Sequence, residues 1–143
     1  MLSDLHSKDV AQLRALTNVH WLGYRPYVAL PRYLAGIDVG LLPTVNNAYT
    51  QAMFPMKFYE YLAAGIPIAT SLAAFAKTAH PGVEFGEGVD GLAEAISRQL
   101  SRGRLSEAEA VAAVGANTWG QRLDRMEVAL DAVDRRTAGG TVQ

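Results

Sequence analysis

The run FPMKFYEYLAAGIPIAT, residues 54–70, decides the fold of this 143-residue chain. We predict a helix from Pro55 to Ala64 that Gly65 terminates. The prediction rests on the proline at its start, on apolar side chains at helical spacing and on the glycine that follows it. The apolar and β-branched residues that follow, 66–70, predict a strand. A helix that leads directly into a buried strand is typical of a parallel β-α-β unit.

Outward from this run, helical and strand patterns alternate along the chain. The predicted strands are short, continuous apolar runs, as expected of strands that are buried on both faces. The fold class is therefore α/β, a parallel sheet with flanking helices and a helical C-terminal extension. The other predicted helices lie at 7–16, 30–34, 89–100 and 106–133, the last with Gly115 and Asn117 as candidate break points, and the other predicted strands at 19–22, 37–42 and 83–85.

Composition and charge exclude several classes of protein. Half of the residues are hydrophobic and 19% are charged, which predicts a folded chain. Thirteen basic and fourteen acidic residues give a net charge of -1, so a nucleic-acid-binding surface is not expected. The chain has no cysteine, which excludes disulfides and thiolate metal sites and suits a reducing compartment. We expect one cytoplasmic domain over 1–134, without an export signal, and a frayed tail over 135–143.

Ligands of parallel α/β sheets bind at the carboxyl ends of the strands. The sequence predicts that residues 23–26, 43–54 and 70–74 lie along this edge. Residues 43–54 form a polar, uncharged loop that is longer than most connections, and such loops tend to be functional.

Lys57 falls in the first turn of the predicted helix, where the macrodipole disfavours a cation by roughly 0.3–1 kcal/mol. A phosphate bound by the free N–H groups of this turn and by Lys57 would compensate that cost. Glu60, one turn further on, could accept two hydrogen bonds from a sugar diol. An ordinary exposed ion pair between Lys57 and Glu60 is the competing interpretation, and both stay open. The aromatic and leucine side chains of this helix, Phe58, Tyr59, Tyr61 and Leu62, are expected to pack in the core.

Two stretches of the sequence resemble a known family. They are NVHWLGYRPYVALPRYLAGIDVGLLP, residues 18–43, and PMKFYEYLAAGIPIAT, residues 55–70. Both are similar to the C-terminal, donor-binding half of GT-B fold glycosyltransferases of the family 4 type, that is, glycosyl transferases group 1. The resemblance covers nearly the whole chain, and it implies a Rossmann-like domain. The first strand and the acceptor-binding N-terminal half of such enzymes are expected to be missing.

The resemblance implies a nucleotide-sugar donor, either a UDP- or a GDP-hexose, and a glycan or lipid-linked acceptor. It places Glu60 on the ribose and Lys57 on the leaving diphosphate, with retention of configuration and with neither a cofactor nor a metal. One family glutamate is replaced by Ala52. The base would lie against Gly23, Tyr24 and Arg25, and the pyrophosphate and sugar against Gln51, Ala52, Met53, Phe54, Pro55 and Met56.

Three alternatives stay open. The chain could be a non-catalytic fragment or partner subunit that binds nucleotide weakly or completes another GT-B chain, or that self-associates through an uncovered sheet edge. An epimerase that acts on the nucleotide sugar is less well supported, since the sequence shows no carboxylate or histidine set for proton abstraction. A basic patch of Arg98, Arg102 and Arg104 could touch the inner face of a membrane at its periphery.

Other site chemistry is not expected. The three histidines, His6, His20 and His80, lack metal-ligand spacing. We also expect no glycine-rich phosphate loop of the G-x-G-x-x-G type.

Overall fold

In a computed structural model of the chain, residues 7–53, 55–75, 82–115 and 117–138 are described. The chain divides into two compact units, Met1–Tyr33 and Leu34–Gln143.

The first unit begins with helix α1, Ser7–Ala15, as the sequence predicts. A 3₁₀ turn, Tyr27–Ala29, leads into the short helix α2, Leu30–Leu34, which ends at the boundary with the second unit. The strand expected over 19–22 is wrong, because residues 19–26 have no regular secondary structure and Trp21 is 53% exposed. Strand propensity takes effect only where a neighbouring strand and a covering layer receive the segment.

The second unit is built on a parallel sheet. Its three strands, in the order β1-β2-β3, are β1, Gly40–Leu42, β2, Ile68–Thr70, and β3, Val83–Phe85. Gly40 lies opposite Ile68, which in turn lies opposite Val83. The sheet confirms the predicted α/β class, and each strand lies within a segment that the sequence assigns to one.

Five α-helices follow β1 along the described chain. Helices α4 and α5 pack against β2, and α5 also packs against β3, which provides the helical layers that a parallel sheet needs. The predicted helical tail is divided at Gly115 into α6 and α7, and residues 139–143 of the expected frayed tail lie outside the described residues. The helices are α3, Ala48–Ala52, α4, Met56–Ala63, α5, Gly88–Arg102, α6, Glu107–Val114, and α7, Trp119–Ala138.

Two fully buried polar side chains of the described core, Thr70 and Gln99, differ in their hydrogen bonding. Thr70 is satisfied, because its hydroxyl donates to the carbonyl of Leu42 at 3.0 Å and accepts from the N–H of Leu72 at 3.0 Å. Gln99, on the inner face of α5, finds no hydrogen-bond partner for either atom of its amide among the described residues. A buried polar group without a partner retains its full cost of desolvation.

Replacing this amide should stabilise the fold. We expect Gln99→Met, which keeps the length of the side chain, to raise the free energy of unfolding by about 1–3 kcal/mol, measured by urea denaturation. The exposed Gln12→Met is the matched control and should change stability by less than about 0.5 kcal/mol. A loss of stability in Gln99→Met would show that the amide is satisfied in solution.

The start of α6 carries the predicted capping box. Ser106 accepts a hydrogen bond from the N–H of Glu109, and Glu109 accepts one from the N–H of Ser106 at 2.8 Å. The N–H of Ser106 and, to a smaller extent, its hydroxyl hold the pKa of Glu109 below its ordinary value of 4.5. Burial opposes them with a smaller effect, and the guanidinium of Arg102 lowers the pKa further, with contributions that are each smaller than that of burial.

A lowered pKa makes Glu109 a source of stability that acid removes. Its contribution is fully present above the ordinary value and is lost as the pH falls through the lower pKa of the folded state. We therefore expect Glu109→Gln to lose less stability than the native chain below about pH 5, measured by chemical denaturation across pH. Glu107→Gln removes a carboxylate from the same turn without touching Ser106, and it should retain the acid sensitivity; equal curves for all three proteins would contradict the assignment.

Candidate functional site

Helix α4 is positioned by its ends and its inner face. Pro55 occupies the N-cap and offers no side-chain oxygen, so the first N–H groups of the helix receive no side-chain cap. Gly65, with a φ of 70°, terminates the helix as the sequence predicts. Phe58 and Leu62, one turn apart, are buried, and Phe58 stacks on Phe75 with ring centroids 4.1 Å apart. These contacts confirm that the aromatic and leucine residues of α4 pack inward.

The two tyrosines of α4 lie at the edge of this core. The ring of Tyr61 lies so close to β1 that a Cβ on Gly40 would come within 2.5 Å of it. Tyr59 faces the guanidinium of Arg122, whose central carbon lies 5.7 Å from the ring centroid. Burial, and to a smaller extent the charge of Glu60, raise the pKa of Tyr61 above its ordinary value.

Lys57 and Glu60 remain on the outer side of α4. Lys57 is exposed and Glu60 is half-buried. The ion pairs among the described residues do not include either side chain, so the competing interpretation as a surface ion pair is not what the structure shows. An uncapped helix start with a lysine in its first turn is able to bind an anion.

The segment before α4 is more ordered than the expected loop. Asn47 and Thr50 form a capping box that begins α3, because the side chain of each accepts a hydrogen bond from the N–H of the other. Gln51 and Ala52 are exposed on this helix, and Met53 follows it half-buried. Phe54 lies outside the described residues, and Pro55 and Met56 belong to the start of α4. Of the candidate residues, Gln51 and Ala52 thus belong to α3 and Met56 to α4, so the described part of this segment is not one open loop.

Gly23, Tyr24 and Arg25 belong to the first unit. Gly23 has a φ of 69° and Tyr24 is 88% exposed. Arg25 is held in place, since its Nε donates to the hydroxyl of Tyr33 at 2.6 Å and its Nη1 to the carbonyl of Tyr24 at 2.9 Å. Their inclusion in one site with Glu60 stays a prediction.

The carboxyl edge of the sheet carries a feature that the sequence analysis missed. Ser71 joins the ends of β1 and β2, because its Oγ accepts from the N–H of Thr44 at 2.8 Å and donates to the carbonyl of Thr44 at 2.9 Å. Beside it opens a cleft of about 660 Å³ that α5 helps to enclose, and among the described residues no cationic side chain lines it. Its aliphatic wall consists of Pro43, Val45, Val89, Leu92, Ala93 and Ile96.

The expectation of no G-x-G-x-x-G run is wrong. Gly86, Gly88 and Gly91 have this spacing directly after β3 and at the start of α5. Packing explains it: a Cβ on Gly86 would lie 2.1 Å from the carbonyl oxygen of Gly91, and Gly88 has a φ of 68°. Glu87 at the N-cap and Asp90 in the first turn place negative charge where a phosphate would bind. The glycines therefore serve close packing of the strand on the helix.

The three arginines of the expected basic patch are engaged within the fold. Arg98 pairs with Glu84 and Glu94, and Arg102 pairs with Glu109. Arg104 donates to the carbonyl of Ala64 at the end of α4 and to that of Ile37, each at 2.6 Å. Their charges are thus partly neutralised or used to hold helix ends.

Neither a metal cluster nor a membrane span is found in the described part of the chain. Its Asp, Glu and His side chains do not gather into a group of three that could hold a metal ion. None of its helices is both long and apolar enough to cross a bilayer.

Comparison with known proteins gives two matches. A family model described as glycosyl transferases group 1 matches residues 3–102. A "Putative teichuronic acid biosynthesis glycosyltransferase TuaH" of Bacillus subtilis (strain 168) is 40% identical over 89 residues, which is 59% of this chain and 22% of that protein. The match therefore spans about a fifth of the relative's length. No solved structure matches the chain.

The packing of α4 against β1 gives a testable consequence. We expect Gly40→Ala to lower the free energy of unfolding by about 1–3 kcal/mol, because the added methyl group displaces the ring of Tyr61. Gly120→Ala is the matched control: a Cβ there meets nothing within 4 Å, and alanine favours the helix. Denaturation curves give the free energy of unfolding of the two variants. If Gly40→Ala were as stable as Gly120→Ala, the close approach of Tyr61 to β1 would be contradicted.

Proposed function

Because the chain belongs to the glycosyl transferases group 1 family, we propose that it forms the donor-binding part of a glycosyltransferase. The donor is a nucleotide diphosphate sugar with uridine or guanosine as the nucleoside. Its diphosphate lies at the start of α4 and its ribose beside Glu60.

One observation supports this placement most directly. The start of α4 combines an uncapped first turn, an exposed lysine and a carboxylate one turn further on, and neither charge is used in an ion pair with a described residue. Elsewhere on the carboxyl edge the described charges are negative, since Glu87 and Asp90 occupy the start of α5 and none of the described residues that line the adjacent cleft is a cation. Of these places, the start of α4 suits a diphosphate best.

The proposed chemistry is electrostatic. Cleavage of the bond between the sugar and the diphosphate leaves additional negative charge on the diphosphate, which Lys57 and the N–H groups of Met56 and Lys57 stabilise. Glu60 accepts hydrogen bonds from the two ribose hydroxyls and so orients the nucleotide. Residues 51–53, 55 and 56 face the sugar.

The sugar and the acceptor belong to the same proposal. We infer a hexose, transferred with retention of configuration to a glycan or a lipid-linked acceptor. The relative's name, which refers to teichuronic acid biosynthesis, supports a polysaccharide product. Analysis of the anomeric configuration of the product distinguishes retention from inversion.

A second candidate function is nucleotide binding without transfer by this chain alone. The match to a relative of which it covers 22% favours this alternative, because the acceptor would then be held by other parts of a complete enzyme. In that case the chain would bind UDP or GDP but would transfer sugar only together with a complementing chain.

Titration calorimetry with UDP, GDP and inorganic diphosphate tests the placement. We expect Lys57→Ala to weaken the binding of both the nucleotides and inorganic diphosphate. Glu60→Ala should weaken only the binding of the nucleotides, because inorganic diphosphate has no ribose. Loss of a hydrogen bond to a charged group predicts a change of about tenfold to hundredfold.

Glu107→Ala is the control for these variants. It removes an exposed carboxylate from the first turn of α6 and should leave every affinity unchanged. Circular dichroism establishes that each variant is folded. Absence of binding by the folded native chain would contradict the donor site, and equal weakening of diphosphate by Glu60→Ala would contradict the role of Glu60 on the ribose.

A further inference from the structure

Residues 21–28 of the first unit, which we call the aromatic segment, expose large aromatic and aliphatic side chains. All eight residues are exposed, and among residues 11–28 only Val19 is partly buried. Apolar side chains that are exposed together mark an interaction surface, whereas single ones need no explanation. The five large side chains of the aromatic segment are Trp21, Leu22, Tyr24, Tyr27 and Val28.

The charge around the aromatic segment has one sign. Between Asp9 and Asp38 the sequence contains three arginines and neither aspartate nor glutamate. These arginines, Arg14, Arg25 and Arg32, are all exposed. The ion pairs among the described residues do not include them, so no described carboxylate neutralises their charge. The aromatic segment therefore lies in cationic surroundings.

Two of these arginines lie against aromatic rings. The central guanidinium carbon of Arg14 is 5.3 Å from the ring centroid of Trp21, and that of Arg25 is 5.6 Å from the ring centroid of Tyr33. Arg25 also donates from Nε to the hydroxyl of Tyr33 and from Nη1 to the carbonyl of Tyr24. All of these partners are uncharged, so they hold the guanidiniums beside the rings without cancelling their positive charge.

We propose that the aromatic segment binds reversibly to the surface of a bilayer that contains anionic phospholipid. Tryptophan and tyrosine combine an apolar ring with a polar group, and they prefer the boundary between lipid headgroups and acyl chains. Arginines beside them bind headgroup phosphates, to which a guanidinium can donate two parallel hydrogen bonds. This surface belongs to the first unit and does not depend on the proposed donor site on α4.

A single sign of charge is what favours a bilayer over other partners. An anionic lipid surface attracts each arginine that approaches it, and no carboxylate between residues 9 and 38 opposes that attraction. A nucleic acid would need a larger excess of basic residues than this chain of net charge -1 contains.

The second tryptophan of the chain provides an internal comparison. Trp119 is 72% exposed and begins α7. That helix contains as many carboxylates as guanidiniums, so it has no excess positive charge for an anionic surface to attract. The carboxylates are those of Asp124, Glu127, Asp131 and Asp134, and the guanidiniums are those of Arg122, Arg125, Arg135 and Arg136.

Co-sedimentation of the full chain with lipid vesicles tests the proposal. We expect binding to vesicles that contain phosphatidylglycerol, weakened by added salt, and little binding to vesicles of phosphatidylcholine alone. Arg32→Gln should weaken binding by about fivefold, the effect of one arginine near an anionic surface. Arg135→Gln is the matched control, because it removes an exposed arginine from α7, and it should leave the binding unchanged.

Fluorescence of the two tryptophans locates the contact. Trp119→Phe leaves Trp21 as the only tryptophan, and Trp21→Phe leaves Trp119. Vesicles with phosphatidylglycerol should shift the emission of Trp21 to shorter wavelengths, and brominated lipid should quench it. Neither change is expected for Trp119. Circular dichroism establishes that each variant is folded.

The remaining outcomes overturn the proposal. Absence of binding by the folded native chain would exclude the bilayer, and equal binding to both kinds of vesicle would exclude recognition of anionic lipid. A shift of Trp119 alone would assign the contact to α7. An Arg25→Gln variant that loses affinity for UDP or GDP but still binds vesicles as the native chain does would assign the segment to the nucleoside base.

Discussion

The central strand β2 is the constraint on which the second unit depends. All three of its residues are fully buried, and it pairs in parallel with β1 on one side and with β3 on the other. A strand without an exposed face needs helices to cover it, and α4 and α5 both pack against it. Where β2 ends, the hydroxyl of Thr70 binds the last residue of β1, Leu42, and that of Ser71 binds Thr44 just beyond it, so hydroxyl groups hold the carboxyl edge together.

Packing of α4 on this sheet also determines which of its side chains are available to a ligand. Phe58 and Leu62 are buried and Tyr61 lies close against β1, which leaves Lys57 and Glu60 on the outer side. The outward position of these two charges is therefore a consequence of how the helix is covered. The proposed donor site is the part of α4 that the core does not need.

Charge and glycine patterns that suggest ligand binding have other roles elsewhere in the chain. The glycines between β3 and α5 let two backbone segments approach, and acidic residues stand where an anion would bind. The arginines near the end of α5 pair with carboxylates or hold helix ends. A spacing or a cluster thus indicates a site only when the neighbouring charges and backbone geometry agree with it.

Local pattern was sufficient for much of this protein. Apolar runs and stop residues predict α4, its end at Gly65, all three strands of the sheet and the capping box at Ser106, because these depend on neighbours within a few positions. The same reasoning fails at 19–22, where a strand needs partners that local sequence does not specify. It also missed the buried Gln99, the cleft beside Ser71 and the finding that Lys57 and Glu60 form no ion pair with a described residue. Those features depend on residues distant in the chain that folding brings together, so the tertiary structure alone decided them.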